Sequence, residues 1–360
     1  MTRVWIVLAL SACLFAEVSQ KEIDLAIEKG AEYLKKNYVA GRVQGMGDAE
    51  ELVALTLAHA GVSPDAEPLK TLIARILKKP LSATYNTTIQ AVLLALVDPR
   101  KYRPRIAECG QWLVDAQCQN GQWSYGGGAP QAPVKGVVSG AGAEPTWTLK
   151  PQSGPAGVSG DNSNAQFGLL GLWAATIAGV KVPNPAWDRA EAWWKKEQGT
   201  DLGWGYGGRD LSYGSMTCAG IAAMSICGRA RGEPSRNDGI IAGGLRWLGN
   251  NFSVKENPRS GAWTYYYLYS LERAGTITGQ KQIAGLDWYQ AGARFLVNGQ
   301  HPDGSWQEED PITDTCFAIL FLKRATLSMV TPMPIDRASV TPDDPTAEPA
   351  EQENKDGEGK

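Results

Sequence analysis

Two aspartates stand where this sequence could do acid chemistry. Asp161 opens Asp161-Asn-Ser-Asn164, and Asp314 lies in Thr313-Asp-Thr-Cys316, each at the expected start of a strongly apolar helix. A carboxyl held among apolar neighbours has its pKa raised and becomes a candidate proton donor. The plainer reading is that both carboxyls cap free N–H groups at helix starts. Trp204, Tyr206, Tyr213 and Tyr265 fall close to the same helix starts, either as a ligand-binding set or as corner packing. Metal chemistry is poorly provided for. The only histidines are His59, inside an apolar helix, and His301, in a polar corner, so a three-ligand zinc site is not expected. No Gly-x-Ser-x-Gly elbow or phosphate loop occurs, and no cofactor is expected.

The elements that must position these residues are legible from Trp288 to Ala325. Trp288, Gly292, Phe295 and Leu296 repeat at helical spacing and define an amphipathic helix, expected over Leu286 to Asn298. After a Gly304-Ser-Trp306 corner, Cys316 to Leu322 is apolar on every side, which requires burial all round. An outer helix, a corner and an inner helix form a hairpin that can bury its surface only against copies of itself. Five more hairpins follow from the same pattern. Their expected outer helices start at Lys21, Leu69, Arg103, Trp187 and Gly239; the inner ones are Glu51 to Ala60, Thr88 to Val97, Asn164 to Gly179, Ser215 to Cys227 and Thr264 to Ala274. Residues 21–326 thus read as one all-α domain of six hairpins. A Gly/Pro-rich insertion at 126–160 delays the third inner helix and is placed to fold over the mouth formed by the corners.

A finer spacing recurs in the corners. Trp112, Trp193 and Phe295 are followed after five residues by Gln117, Gln198 and Gln300, and after eleven by Trp123, Trp204 and Trp306. In the fifth hairpin Phe252 stands where glutamine is expected and the tryptophan is delayed to Trp263. The glutamine amide suits the unpaired carbonyls at the end of an outer helix, its oxygen suits the free N–H groups of the next helix, and the indole suits an apolar junction. Trp112, Gln117, Trp123, Gln198, Trp263, Phe295, Gln300 and Trp306 are therefore assigned to structure.

The arrays Trp112-Leu-x3-Gln117-x3-Gly121-x-Trp123 and Phe295-Leu-x3-Gln300-x3-Gly304-x-Trp306 resemble the QW repeats of squalene-hopene cyclases and related triterpene cyclases. The resemblance implies an (α/α)6 toroid, with inner helices in a ring and outer helices around it, as in terpenoid cyclases and protein prenyltransferases. Segments such as Gly214-Ser-Met-Thr217 are similar to those of exported bacterial proteins bearing prenyltransferase and squalene oxidase repeats, a group for which no activity is implied. The chemistry that the resemblance would bring is missing: no Asp-x-Asp-Asp run, no zinc triad of Asp, Cys and His, and no Gly-Cys-Gly-Glu-Gln thioester sequence occurs. Asp314 stands alone at the comparable helix start.

The remaining features bound the setting. Net charge is -3 without a basic cluster, which excludes a nucleic-acid surface. Residues 1–16 read as a secretory signal, or to residue 12 as a lipoprotein signal in which Cys13 would carry the membrane anchor. The protein is accordingly expected in the periplasm or cell envelope. Cys109 and Cys118, and Cys218 and Cys227, are nine residues apart on expected helices. A rise of about 13 Å puts them beyond disulfide reach. Residues 327–360 are rich in Pro, Asp and Glu and are expected to be disordered. The reading that follows is a non-catalytic toroid binding an apolar, glycan or protein ligand at its rim or central cavity; the alternative is a divergent enzyme on an isoprenoid or glycan with Asp161 or Asp314 as acid.

Overall fold

The computed structural model describes residues 17–38, 49–126, 134–138, 145–208, 210–326 and 329. The expected signal at 1–16, Cys13, the first glycine-rich corner and the tail from 330 onward lie outside the described residues. Twelve helices follow one another within the described residues. The outer ones are α1 (Gln20–Asn37), α3 (Leu69–Ile76), α5 (Arg103–Asp115), α7 (Asn184–Lys196), α9 (Asp238–Asn251) and α11 (Trp288–Gly299). The inner ones are α2 (Glu50–His59), α4 (Thr84–Val97), α6 (Asn162–Ile177), α8 (Gly214–Ala230), α10 (Thr264–Thr278) and α12 (Pro311–Leu322).

Each inner helix packs against the inner helix two elements before and two after it, and α12 packs back onto α2, so the six close into a ring. The outer helices lie outside that ring, against one or two of its members. This is the double-ringed all-α toroid. Its cause is in the residue distribution: α1 buries only one face, with Ile23, Ile27, Ala31 and Leu34 turned inward. In α12 every residue from Thr313 to Leu322 is buried. A helix apolar on all sides is stable only where other helices surround it. The cysteines Cys109, Cys118, Cys218, Cys227 and Cys316 are buried in this core as free thiols.

The outer-to-inner corners among the described residues fall at one rim, the mouth, because each hairpin reverses direction there. Across the middle of the ring, aromatic side chains from opposite walls meet. Phe167 of α6 stacks on Tyr266 of α10 at 6.5 Å, and Phe317 of α12 meets Tyr266 edge-on at 5.5 Å. The guanidinium of Arg273 lies 4.1 Å from the centre of the Tyr269 ring and 5.4 Å from that of Phe167. The axis is therefore filled at this level. At the lower end the chain leaving α12 passes under α10, where the N–H and hydroxyl of Thr326 donate to buried Glu272, and the Trp173 indole of α6 donates to the Met329 carbonyl.

Three expectations need correction. The second inner helix begins at Thr84, not Thr88, because the Thr84 hydroxyl donates to the Ser124 carbonyl and its N–H to Tyr125, which fixes the start one turn earlier. Leu286–Asp287 is not helical; it forms a two-residue strand, β4, antiparallel to β3 (Gln282–Ile283). The insertion does not cover the mouth in its described parts. β1 (Trp147–Thr148) pairs in parallel with β2 (Val180–Lys181) at the lower end, and the chain then climbs the outer wall beside α5. Lys150 exchanges hydrogen bonds with Gln111, and the Gln152 amide donates to the carbonyls of Asp115 and Gln117.

Candidate functional site

The corners are built by one repeated device. The indole N–H groups of Trp123, Trp204 and Trp306 donate to the carbonyls of Leu113, Trp194 and Leu296, each ten residues earlier in the outer helix. All three tryptophans are fully buried. The Nε2 groups of Gln117, Gln198 and Gln300 donate to their own corner, at Gly121, Leu202 and Gly304, and to the next outer helix, at Ala186, Ile240 and Ala26. The last of these ties the sixth hairpin to the first and closes the outer ring. The glutamines thus bridge outer helices through carbonyls, whereas the expected bonds to free helix N–H groups do not form; the Gln117 oxygen accepts instead from Arg189. Trp112 is buried and Phe295 half-buried beside these junctions.

Trp263 does not follow this pattern. It is 37% exposed and caps α10 with φ 63°, in the left-handed region. A bulky residue there costs about 1–2 kcal/mol. The corner is held by its neighbours: the Asn257 amide donates to Ser215 and Ala262, and the Ser215 N–H donates to the Asn257 oxygen. Glu308 accepts from both the N–H and the hydroxyl of Thr264. Arg259 donates to Asn251 and Asp201.

This corner forms one wall of a cavity of about 430 Å³ in the mouth. Five tyrosines, Tyr85, Tyr125, Tyr206, Tyr213 and Tyr266, line it together with Trp263. Ser163, Ser215, Ser260 and Asn257 add polar groups, and Met216 and Ala262 apolar ones, and no charged side chain is among the lining residues. The residues come from the first turns of α4, α6, α8 and α10 and from the corners before them. The tyrosine hydroxyls form networks: Tyr125 meets Tyr206 at 2.5 Å, and Ser163 joins Tyr85 and Tyr266 at 2.6 Å each. Below them, the Gln166 amide donates to Tyr266, and buried Arg273 donates to the Gln166 oxygen. Burial pushes the Tyr266 phenol up to about 12 and raises those of Tyr85, Tyr206 and Tyr213, with the nearby Asp161 charge acting in the same direction.

Of the aromatic residues expected to bind ligand, Tyr206 and Tyr213 line the cavity. Trp204 is instead a buried corner tryptophan packed on Gly220, and Tyr265 lies beside Asp314 and Glu308 rather than in the cavity. Trp263, assigned to structure from its position after the outer helix, is in the lining. Tyr85, Tyr125 and Tyr266 were missed. In Tyr265-Tyr-Tyr267 the sequence alone does not say which ring turns inward; the structure selects Tyr266, while the Tyr267 hydroxyl donates to Ser253 in the outer corner.

Neither aspartate is among the lining residues. Asp161 caps α6, accepting from the backbone and side-chain nitrogens of Asn164, and burial raises its pKa. Asp314 is not the cap of α12; Asp310 is, through the Thr313 N–H. The Asp314 Oδ2 gathers the N–H groups of Glu308, Glu309 and Asp310 at 2.7, 2.8 and 3.1 Å, which shapes the corner before the helix. Burial pushes its pKa up to about 6 against those donors. Among the described residues no three His, Cys, Asp or Glu side chains gather as metal ligands would, and no helix is long and apolar enough to cross a membrane.

No protein-family model matches the chain, and neither does any curated protein. Solved structures do. The apo form of the type II terpene cyclase MstE from Scytonema superposes with a TM-score of 0.51 at 13% identity, over 86% of this chain and 99% of that one. A variant of MstE in complex with geranylgeranyl dihydroxybenzoate gives 0.51 at 12% identity, over 86% and 97%. At this identity the likeness establishes architecture and nothing finer: the chain has the α/α-toroid fold of the terpenoid cyclases.

Proposed function

We propose that the protein is an exported, non-catalytic toroid that binds a ligand in the tyrosine-lined cavity of its mouth. The observation that carries this reading is the cavity itself: an opening of about 430 Å³, rimmed by half-exposed aromatics and lined by hydroxyl groups but by no carboxylate, imidazole, amine or thiol. Pockets of about 300–1,000 Å³ with aromatic walls and a few convergent polar groups are typical small-molecule sites. The segment ahead of residue 17 would direct the protein to the cell envelope, and a lipid on Cys13 would hold it at a membrane there.

The enzymatic alternative draws on Asp314, whose pKa of about 6 makes it the best proton donor of the two aspartates. It is weak support. A type II cyclase must protonate an alkene, which asks for an acid far stronger than a carboxyl of that pKa. The Asp314 oxygen is also engaged by three backbone N–H groups outside the cavity.

Native mass spectrometry of the protein purified from its own cell envelope tests the reading. Wild type should carry an additional small-molecule mass, and Ala262→Phe, which fills the cavity from its corner, should lose it with the melting temperature unchanged. A wild-type protein that never carries or takes up a ligand, or a ligand equally retained by Ala262→Phe, would remove the proposal.

A further inference from the structure

We infer that the mouth cavity takes an uncharged sugar unit of a glycan, with the Trp263 indole as the face on which the ring stacks. This rests on the ligand-binding reading above and adds the chemical class of the ligand.

Charge narrows the choice first. The lining contains no Lys, Arg, Asp or Glu. A cation would face the N-terminal ends of α4, α6, α8 and α10, which begin at Thr84, Asn162, Gly214 and Thr264 and carry partial positive charge. Arg273, buried beneath Tyr266 and linked to it through Gln166, adds a full positive charge on the same side. An anion would find no cationic side chain in the lining and would have the Asp161 carboxylate close enough to act on four of the five tyrosines. The helix ends and Arg273 oppose a cation, and the Asp161 carboxylate offsets them for an anion, so a neutral ligand fits best.

Counting protons then separates a polyol from a hydrocarbon. Tyr85, Ser163 and Tyr266 bring three hydroxyl protons to two mutual hydrogen bonds, and Tyr125 and Tyr206 bring two to one. The first group therefore keeps a donor to spare, whereas in the second Tyr206 also has the Asp161 carboxylate as a hydrogen-bond partner. The Ser215 oxygen accepts from Asn257, which leaves its own proton free. A bare isoprenoid chain would cover these donors without replacing the water they lose, whereas sugar hydroxyls accept from them and donate back. A pyranose also presents a flat C–H face, and an indole is the largest flat apolar surface a side chain offers.

Trp263 supplies the independent observation. The left-handed backbone at that position would be satisfied best by glycine, and the ring that stands there is 37% exposed. Asn257, Arg259 and Glu308 nonetheless fix the corner on which it stands. A strained, braced and half-exposed tryptophan at a cavity wall is what a stacking platform requires.

The test is an array of neutral and charged glycans read with the full-length protein, together with Trp263→Ala and Trp263→Phe. Neutral glycans should bind wild type. Trp263→Ala should weaken them by about tenfold, or about 1.4 kcal/mol, and Trp263→Phe should recover most of that loss, all at one melting temperature. Binding confined to charged glycans, binding indifferent to Trp263→Ala, or no glycan bound at all would overturn the inference. In the last case the mass-spectrometric experiment decides the rest: a retained non-sugar ligand expelled by Ala262→Phe leaves the ligand-binding reading standing, and an empty protein removes both.

Discussion

The third, fourth and sixth corners of the ring and its fifth corner solve the same problem in different ways. In the first three, a glutamine and a tryptophan bind the corner to its own outer helix and to the next one, and the indole is fully buried. In the fifth, Phe252 replaces the glutamine, the corner is longer, and Trp263 stands half-exposed in the mouth on a left-handed backbone. The repeated device accounts for the fold. Where the chain gives it up, a cavity wall appears. The stapled third and fourth corners supply Tyr125, Tyr206 and Tyr213 to the same cavity, so departure from the repeat marks its tryptophan wall.

The largest test of this contrast compares two tryptophans. Trp306→Ala should destabilise by about 3–5 kcal/mol, the cost of emptying a fully buried aromatic site. Trp263→Gly should cost nothing or add up to about 1 kcal/mol, because it relieves the left-handed strain. Equal losses in denaturant melts would erase the distinction between staple and platform.

A second pair acts on the corner glycines. Gly304 has φ 94°, and a Cβ there would lie 2.4 Å from the Lys29 carbonyl oxygen. Gly304→Ala should therefore cost about 2 kcal/mol or more. In the fourth corner the matching residue is Leu202, with φ 74°, and the glycine has moved to the facing helix as Gly243, 3.4 Å from the Leu202 Cβ when given a Cβ of its own. Leu202→Gly should stabilise by up to about 1 kcal/mol; a loss would mean that the leucine side chain outweighs its backbone strain.

A third test is the pH dependence that Asp314 gives the sixth corner. The Asp314 pKa is raised from 3.8 to about 6 by burial, so the folded protein holds this proton more tightly than the unfolded chain does. Its contribution to stability is present below the unfolded value and is lost as pH rises through about 6. Asp314→Asn should remove that step from the stability–pH curve and be about 1–2 kcal/mol more stable than wild type at pH 8. An unchanged curve would place the titration elsewhere.

The fold was legible because burial leaves a periodic record. The apolar-all-round run at Cys316 to Leu322 and the Gln–Trp spacings are direct consequences of a ring of inner helices joined by stapled corners. The site was legible only in outline. Tyr206 and Tyr213 were found because they follow a corner, but Trp263 was assigned to structure by its position after an outer helix, although its delayed spacing and Phe252 were visible. Tyr85 and Tyr266 sit in first turns, where helical period does not yet distinguish an inward ring from an outward one. Asp314 was expected as a cap, since a sequence does not reveal that Asp310, four residues earlier, already fills that role and leaves Asp314 to the loop.

The most direct test of the account is the shift in calorimetric melting temperature produced by a neutral glycan from the array. At about ten times its dissociation constant the ligand should stabilise wild type by about 1.4 kcal/mol. Trp306→Phe, although less stable, should show the same increment, and Trp263→Gly, although no less stable than wild type, should keep only about 0.4 kcal/mol of it. A full increment in Trp263→Gly, or its loss in Trp306→Phe alone, would contradict the assignment of the fifth corner as the binding wall.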